Sequence, residues 1–265
     1  MPRDCQLLGV KVTPMNLDEF LEDVSRGVGA SPHLIVNHNL HSIYHFHRCE
    51  PMRSVYARAD SCFIDGMPLI FWGRWLGEPL RAEHRITVLD WIGPLLERAL
   101  NRSWRVYALG GRPEVVERSQ DYVASRYPGL EFRAASGYFD PQDPRVNERV
   151  VSDINAFQPH VLLVGMGMPR QETWLGHNLD RLEPCVSITV GAIFDYLTGE
   201  IPTPPRWTGR LGLEWLARLL MTPGRVWQRY LLEPWSLIPH AVRDLLGRRR
   251  AATRPAEPGR DRYHE

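Results

Sequence analysis

Six short apolar runs recur along the 265-residue chain, and they limit its fold more than any other feature. They are Leu7 to Val12, Leu34 to Asn37, Cys62 to Ile64, Arg105 to Leu109, Val161 to Gly165 and Val186 to Val190. Each reads as a strand buried on both faces, because its apolar residues are continuous rather than alternating. Between the runs lie segments with helical spacing. Leu17, Phe20, Leu21 and Val24 follow an Asn16 cap, and Val115, Val116 and Tyr122 precede a Pro128-Gly129 stop. Such alternation predicts right-handed βαβ units and hence an α/β fold: a Rossmann-like, mostly parallel sheet with helices on both faces.

Open sheets of this kind bind ligands outside the carboxyl ends of their strands, and the unusual residues fall at those ends. The exits are Asn37-His38-Asn39, Asp65-Gly66-Met67-Pro68, Gly110-Gly111, the turn Gly165-Met-Gly-Met-Pro-Arg-Gln-Glu172, and Gly191. Five polar or glycine-rich exits predict one continuous crevice. In the longest turn, Gly165 and Gly167 let backbone approach a ligand, and the helix beginning near Gln171 and Glu172 offers free N–H groups to a phosphate. The turn is not the dinucleotide fingerprint, since Arg170 stands at the third glycine position of G-x-G-x-x-G. Gly110-Gly111 before Pro113 forms a second candidate phosphate turn, with a structural role as the alternative.

Asp65 is a carboxylate held at a strand terminus, which suits a general base; capping the helix after Pro68 is the competing reading. Asn37 and Asn39 could bond sugar hydroxyls or simply form the turn. His38 reads as a packing or turn residue before an acid or base. His41, His45 and His47 resemble a metal site only superficially, because no carboxylate accompanies them at helical spacing, and no metal is expected. The chain lacks G-x-x-x-x-G-K-[ST], H-E-x-x-H, G-x-S-x-G and the D-x-D pair that holds a metal on a diphosphate. Arg85, ahead of a Thr87-x-x-Asp90 helix start, Arg170 and the C-terminal arginines are the cations available to a phosphate.

Those C-terminal residues set the charge asymmetry. Residues 1–205 hold 20 Lys+Arg against 25 Asp+Glu, whereas residues 206–265 hold 12 against 6. Nine arginines lie between Arg206 and Arg250, with four of the nine tryptophans and an apolar helical stripe through Leu213, Leu216, Leu220, Trp227 and Leu231. Arg and Trp on an amphipathic helix form an interfacial pattern, so an anionic membrane surface is the expected partner, with no nucleic acid. A helix pair packed on the sheet is the plainer alternative. The expected organisation is a Rossmann-like body over 1–205, a C-terminal amphipathic helical appendage over 206–250 and a disordered tail over 251–265. No spanning helix and no leader are expected, and four dispersed cysteines read as reduced thiols, which together place the chain in the cytoplasm, peripheral on the inner face of the cell membrane.

From here a resemblance can be drawn. Ile64-Asp65-Gly66, Ala108-Leu-Gly-Gly111, Gly137-Tyr-Phe139, Gly165 to Glu172, Gly191-Ala-Ile-Phe-Asp-Tyr-Leu-Thr-Gly199 and Pro205-Arg-Trp207 through Gly212-Leu-Glu-Trp215 to Arg218 make the sequence similar to the WecG/TagA/CpsF family of bacterial glycosyltransferases. The resemblance implies transfer of N-acetylmannosamine, its uronic acid or glucose from UDP to an undecaprenyl-diphosphate-linked saccharide, with inversion and without metal. It implies no cofactor beyond the UDP-sugar donor. Asp65 matches the family's catalytic aspartate, with Asn37 beside it. Asn39, Arg85, Gly110, Gly111, Gly165, Gly167, Gln171, Glu172, Asp195, Arg206, Arg218 and Arg225 fall where substrate would be bound, and the arginine-rich appendage would close the site at the membrane. Asn37 replaces a usual threonine, Thr87 a usual glycine and Thr203 a usual arginine, which bears on donor identity. An NAD-dependent nucleotide-sugar epimerase or oxidoreductase is the rival enzyme, a non-catalytic membrane scaffold is the rival outside enzymes, and a homo-oligomer is left open.

Overall fold

The computed structural model describes residues 3–30, 32–210 and 212–252; the expected tail from 253 onward and the side chains of Arg206 and Arg225 lie outside the described residues. Among the described residues eight strands form: β1 (Cys5–Leu7), β2 (Val10–Val12), β3 (His33–His38), β4 (Ser61–Ile64), β5 (Val106–Gly110), β6 (Phe132–Ala135), β7 (Val161–Gly165) and β8 (Val186–Thr189). β3 to β8 make one sheet in the order β4-β3-β8-β7-β5-β6, and every pair in it is parallel.

The two faces of this sheet feed separate cores. Ile35, Phe63, Val106, Ala108, Leu163, Val186 and Ile188 pack with Phe20 and Trp91 on one side. Their chain neighbours Leu34, Val36, Cys62, Tyr107, Leu109, Leu162 and Val164 pack with Met52 and Trp174 on the other. Alternation with period two sends successive residues to opposite faces, so continuous apolar runs are what a sheet covered by helices on both sides requires. The helices cap as their sequences predict. Asn16 caps Leu17–Gly27 through a reciprocal pair with Glu19, and the Asp90 carboxylate accepts from the backbone N–H of Thr87 at 2.8 Å where the helix Val88–Asn101 begins.

One strand expectation needs correction. Leu7 to Val12 is not one strand of the sheet but an antiparallel hairpin, with Cys5 opposite Val12. Its turn, Leu8-Gly9, has φ of 53° and 77° at its two central positions. A two-residue hairpin turn demands that conformation, and leucine gives no sequence warning of it. β6 carries no apolar run in the sequence, because it is a half-exposed edge strand, Phe-Arg-Ala-Ala.

Glycine at position 110 is forced by close packing. In register with Gly165 on β7, it leaves room for no side chain: a Cβ there would lie 2.4 Å from the Gly165 carbonyl oxygen. Gly110→Ala is expected to destabilise the fold by about 1–3 kcal/mol through overpacking of two central strands, measured by denaturant unfolding. An unchanged midpoint would show that β5 and β7 can separate there.

The C-terminal segment runs through helices Arg206–Arg210, Glu214–Met221 and Pro223–Leu231, a 3-10 turn Glu233–Leu237 and the helix Ile238–Ala252. Its far end returns to the body. Leu237 joins a third apolar cluster with Leu7, Ile43, Ile64 and Leu69. Asp244 accepts from the backbone N–H of Leu8 at 2.7 Å and from the Trp72 indole at 2.9 Å, His240 stacks on His47 at 3.5 Å, and Arg248 pairs with Glu78. Glu214–Met221, by contrast, buries no residue fully. The segment is therefore a strap, anchored beyond residue 233 and more loosely held before it.

Candidate functional site

A cavity of about 640 Å³ opens between the carboxyl ends of the strands and this strap. That volume suits a ligand of nucleotide-sugar size. The body contributes Asn37 near the end of β3 and Asn39 just after it, Asp65 after β4, Gly167 after β7 and Gly191 after β8, while the strap contributes Arg218 and Arg229. Of the five predicted exits, four line the cavity; the β5 exit does not.

Asp65 stands at the centre because β3 and β4 are neighbours, which sets their exits side by side. Its backbone N–H donates to the His38 carbonyl at 2.8 Å. Its Oδ2 accepts from the Asn39 amide at 3.0 Å and the Asn37 amide at 3.4 Å. Oδ1 takes no hydrogen bond among the described residues and is available to a ligand. Asp65 does not cap the helix Met67–Trp75, whose N-cap is Gly66 with no side-chain bond. Of the two readings open in the sequence, capping is thus removed. Burial pushes the Asp65 carboxyl above its ordinary value, opposed by the Asn39 bond and by the positive fields of Arg229, Arg85 and Arg218. That is the setting of a carboxylate made more basic than usual yet kept ionisable by nearby cations.

The two asparagines are themselves fixed. Asn39 caps the helix Leu40–Phe46, accepting from Ser42 N–H at 3.0 Å, so it serves as turn former and Asp65 partner at once. Asn37 accepts at Oδ1 from Thr189 at 3.4 Å, and its carbonyl accepts from the Tyr56 hydroxyl at 2.7 Å. His38 is a packing residue: it is buried between Tyr56 and Phe46, it lies off the cavity wall, and burial pushes its imidazole down to about 3.

Arginines ring the cavity. Arg85 lies 3.6 Å from Asp90 and pairs with Glu214; Arg218 pairs with the same Glu214 at 2.6 Å and donates to the Tyr196 hydroxyl. Glu214 therefore ties strap to body through Arg85 and holds Arg218 within the strap helix. Arg229 also lines the cavity and makes no ion pair among the described residues. Arg170 is turned away, donating to the carbonyls of Gly137 and Phe139.

Several predicted residues support the wall without lining it. Gly165 sits beneath Gly191, and a Cβ on it would lie 2.6 Å from the Gly191 carbonyl oxygen. Gly110 and Gly111 lie one strand further along the sheet. Gln171 and Glu172 are fully buried in the first turn of Arg170–Asn178 rather than offered to a ligand. Gln171 accepts from Gly191 N–H at 3.1 Å and donates to Glu172 at 2.8 Å, so the pair holds the β8 exit in place. Asp195 is half-buried on the short helix Ile193–Leu197 and off the wall; its neighbour Tyr196 is on it. Thr189, Tyr196, Glu214 and Glu233 were not legible as site residues, since each meets the others only through the fold.

Burial pushes the Glu172 carboxyl up to about 7 from 4.5. Between those pH values the folded chain holds one proton more than the unfolded chain, so stability falls as pH rises across that window. Glu172→Gln is expected to remove on the order of 3 kcal/mol of that decline, read as the difference between variant and wild-type unfolding curves at pH 5 and pH 8. Parallel curves at the two pH values would show that Glu172 is not protonated in the fold.

The sequence model of the glycosyl transferase WecG/TagA/CpsF family matches residues 5–251. The N-acetylglucosaminyldiphosphoundecaprenol N-acetyl-beta-D-mannosaminyltransferase of Bacillus spizizenii is 31% identical over 208 residues, covering 78% of this chain and 76% of that protein. The protein of the same name from Staphylococcus aureus is 32% identical over 169 residues, 64% of each chain, so the match spans a little under two thirds of that relative.

Proposed function

The chain belongs to the WecG/TagA/CpsF family of glycosyltransferases, and from the site described above we propose that it is an inverting hexosyltransferase using a UDP-sugar and a polyprenyl-diphosphate-linked saccharide. The observation that carries this reading is Asp65: a carboxylate of raised basicity, one oxygen fixed by two amides and the other available, set beside a ring of arginines. Asp65 takes the proton of the acceptor hydroxyl as its oxygen bonds to the anomeric carbon. The bond from that carbon to the diphosphate breaks on the opposite side, and UDP leaves with the electron pair. Arg85, Arg218 and Arg229 meet the charge that develops on the leaving diphosphate, the task that a metal held by a D-x-D pair performs elsewhere. The names of the two relatives point to a lipid-linked N-acetylglucosamine acceptor and an N-acetylmannosamine donor group. No comparison and no feature of the site favours the NAD-dependent alternative. Incubation with a panel of UDP-sugars and a synthetic prenyl-diphosphate saccharide tests the proposal; release of UDP only when acceptor is present supports it, and no release with any donor defeats it.

The lipid acceptor requires access to a membrane surface. No helix among the described residues is long and apolar enough to cross one. The exposed large apolar side chains instead fall, Tyr138 apart, on Met67–Trp75 and the strap: Phe71, Trp75, then Trp207 through Leu246. Phe71 abuts Gly212, so the two stretches adjoin. We propose that this face lies in the interface of an anionic bilayer. Leu220, 75% exposed, and Trp235, 70% exposed, line no part of the cavity. Leu220→Asp with Trp235→Ser is expected to lower binding to anionic vesicles by about tenfold or more, measured by co-sedimentation. Unchanged sedimentation would move the membrane contact elsewhere.

A further inference from the structure

We infer that His41, His45 and Glu233 form a binding site for one divalent transition-metal ion of the zinc class, which fastens the strap to the cavity wall. His41 and His45 lie four residues apart on Leu40–Phe46, one helical turn, so their rings share a face and meet edge to face at 4.5 Å. Glu233 begins the 3-10 turn Glu233–Leu237, 192 residues further along the chain, and its Oε2 lies 2.6 Å from His41 Nδ1. One ligand atom from each of the three lies within 4.8 Å of the other two. Tetrahedral zinc, with bonds of about 2.0–2.1 Å, places its ligand atoms about 3.3 Å apart. The His41–Glu233 contact has to open from 2.6 Å to give that spacing.

The donor set narrows the ion. Two imidazoles and a carboxylate with an open fourth position suit zinc, cobalt or nickel, whereas magnesium and calcium favour oxygen throughout. His41 and Glu233 line the cavity and His45 does not, so the ion would sit within the wall. The fields of Arg229 and Arg48 reach the same groups and work against a cation; Glu233 offsets one of those charges and brings the strap with it. The site is separate from the Asp65 chemistry, which needs no metal in the reading above, and metal binding stands or falls without that reading. Third in the local cluster, His47 takes no part: its Nε2 donates to the Leu8 carbonyl at 2.9 Å and its ring is stacked on His240.

The test uses the full chain without a histidine tag, stripped with chelator. Titration calorimetry with zinc chloride is expected to give one ion per chain and a raised unfolding temperature, with magnesium chloride giving neither. His45→Ala and Glu233→Gln, each checked for native circular dichroism, are expected to lower zinc affinity at least tenfold. Cobalt substitution is expected to give a visible spectrum without a thiolate charge-transfer band. Absence of zinc binding by the wild type, equal affinity in either variant, or a thiolate band assigning the ion to Cys5 or Cys49 would each overturn the site.

Discussion

Asp65→Asn is expected to lower sugar transfer by about 10²–10⁴-fold while leaving the fold and the affinity for UDP as they are. Asparagine keeps the shape of the side chain and can still accept from Asn39 through its remaining oxygen, so the wall between β3 and β4 stays closed. What is lost is the ability to take a proton. Turnover on a prenyl-diphosphate acceptor, calorimetry with UDP and circular dichroism separate these effects, and undiminished turnover would remove Asp65 as the base. The same assignment fixes a pH dependence. The base works only when ionised, and burial raises its protonation equilibrium, so kcat/KM is expected to hold at high pH and fall as pH drops through a midpoint above the ordinary aspartate value. A limb at or below the ordinary aspartate value would place the essential group elsewhere.

Arg218→Ala is expected to cost about 10²–10³-fold in kcat, the scale of removing one preorganised charge from a site where negative charge develops. Arg218 is drawn close to Glu214 and Tyr196 in the structure and is largely dehydrated there, so its charge acts through little water. Truncating it also removes one partner of Glu214, which Arg85 still holds. Arg218→Lys distinguishes the two roles: it keeps a charge near the diphosphate but not the two-nitrogen grip on Glu214. If charge on the leaving group is what matters, the lysine variant recovers much of the rate; if both variants retain wild-type kcat, the strap arginine has no part in the transition state.

Much of this architecture could be read from the chain because a sheet covered on both faces announces itself as unbroken apolar runs. Five of the six runs are strands of the sheet, and the polar residues that end them lie at its carboxyl edge, where Asp65, Asn37, Asn39, Gly167 and Gly191 meet. What could not be read is whatever depends on strand order. Asp65 and Asn39 are 26 residues apart and bond because β3 and β4 are adjacent; Asn37 meets Thr189, 152 residues away, because β8 was inserted beside β3. Gln171 and Glu172 look like ligand-binding residues from their place after a glycine turn, yet Gln171 bonds the next exit from behind and both are sealed off. The basic segment after residue 205 reads as a membrane arm by its Arg and Trp content. Nothing in that content shows that Leu237, His240 and Asp244 return to the hairpin and helices of the body, or that Glu233 comes to rest against His41.

The reading that Asp65 drives a single displacement at the anomeric carbon is tested most directly by the configuration of the product. Proton NMR of the glycoside formed from a UDP-α-sugar and a soluble prenyl-diphosphate saccharide is expected to show the β anomer alone, with Asp65→Asn giving too little product to detect over the same time. An α-linked product would require a second displacement and contradict the assignment.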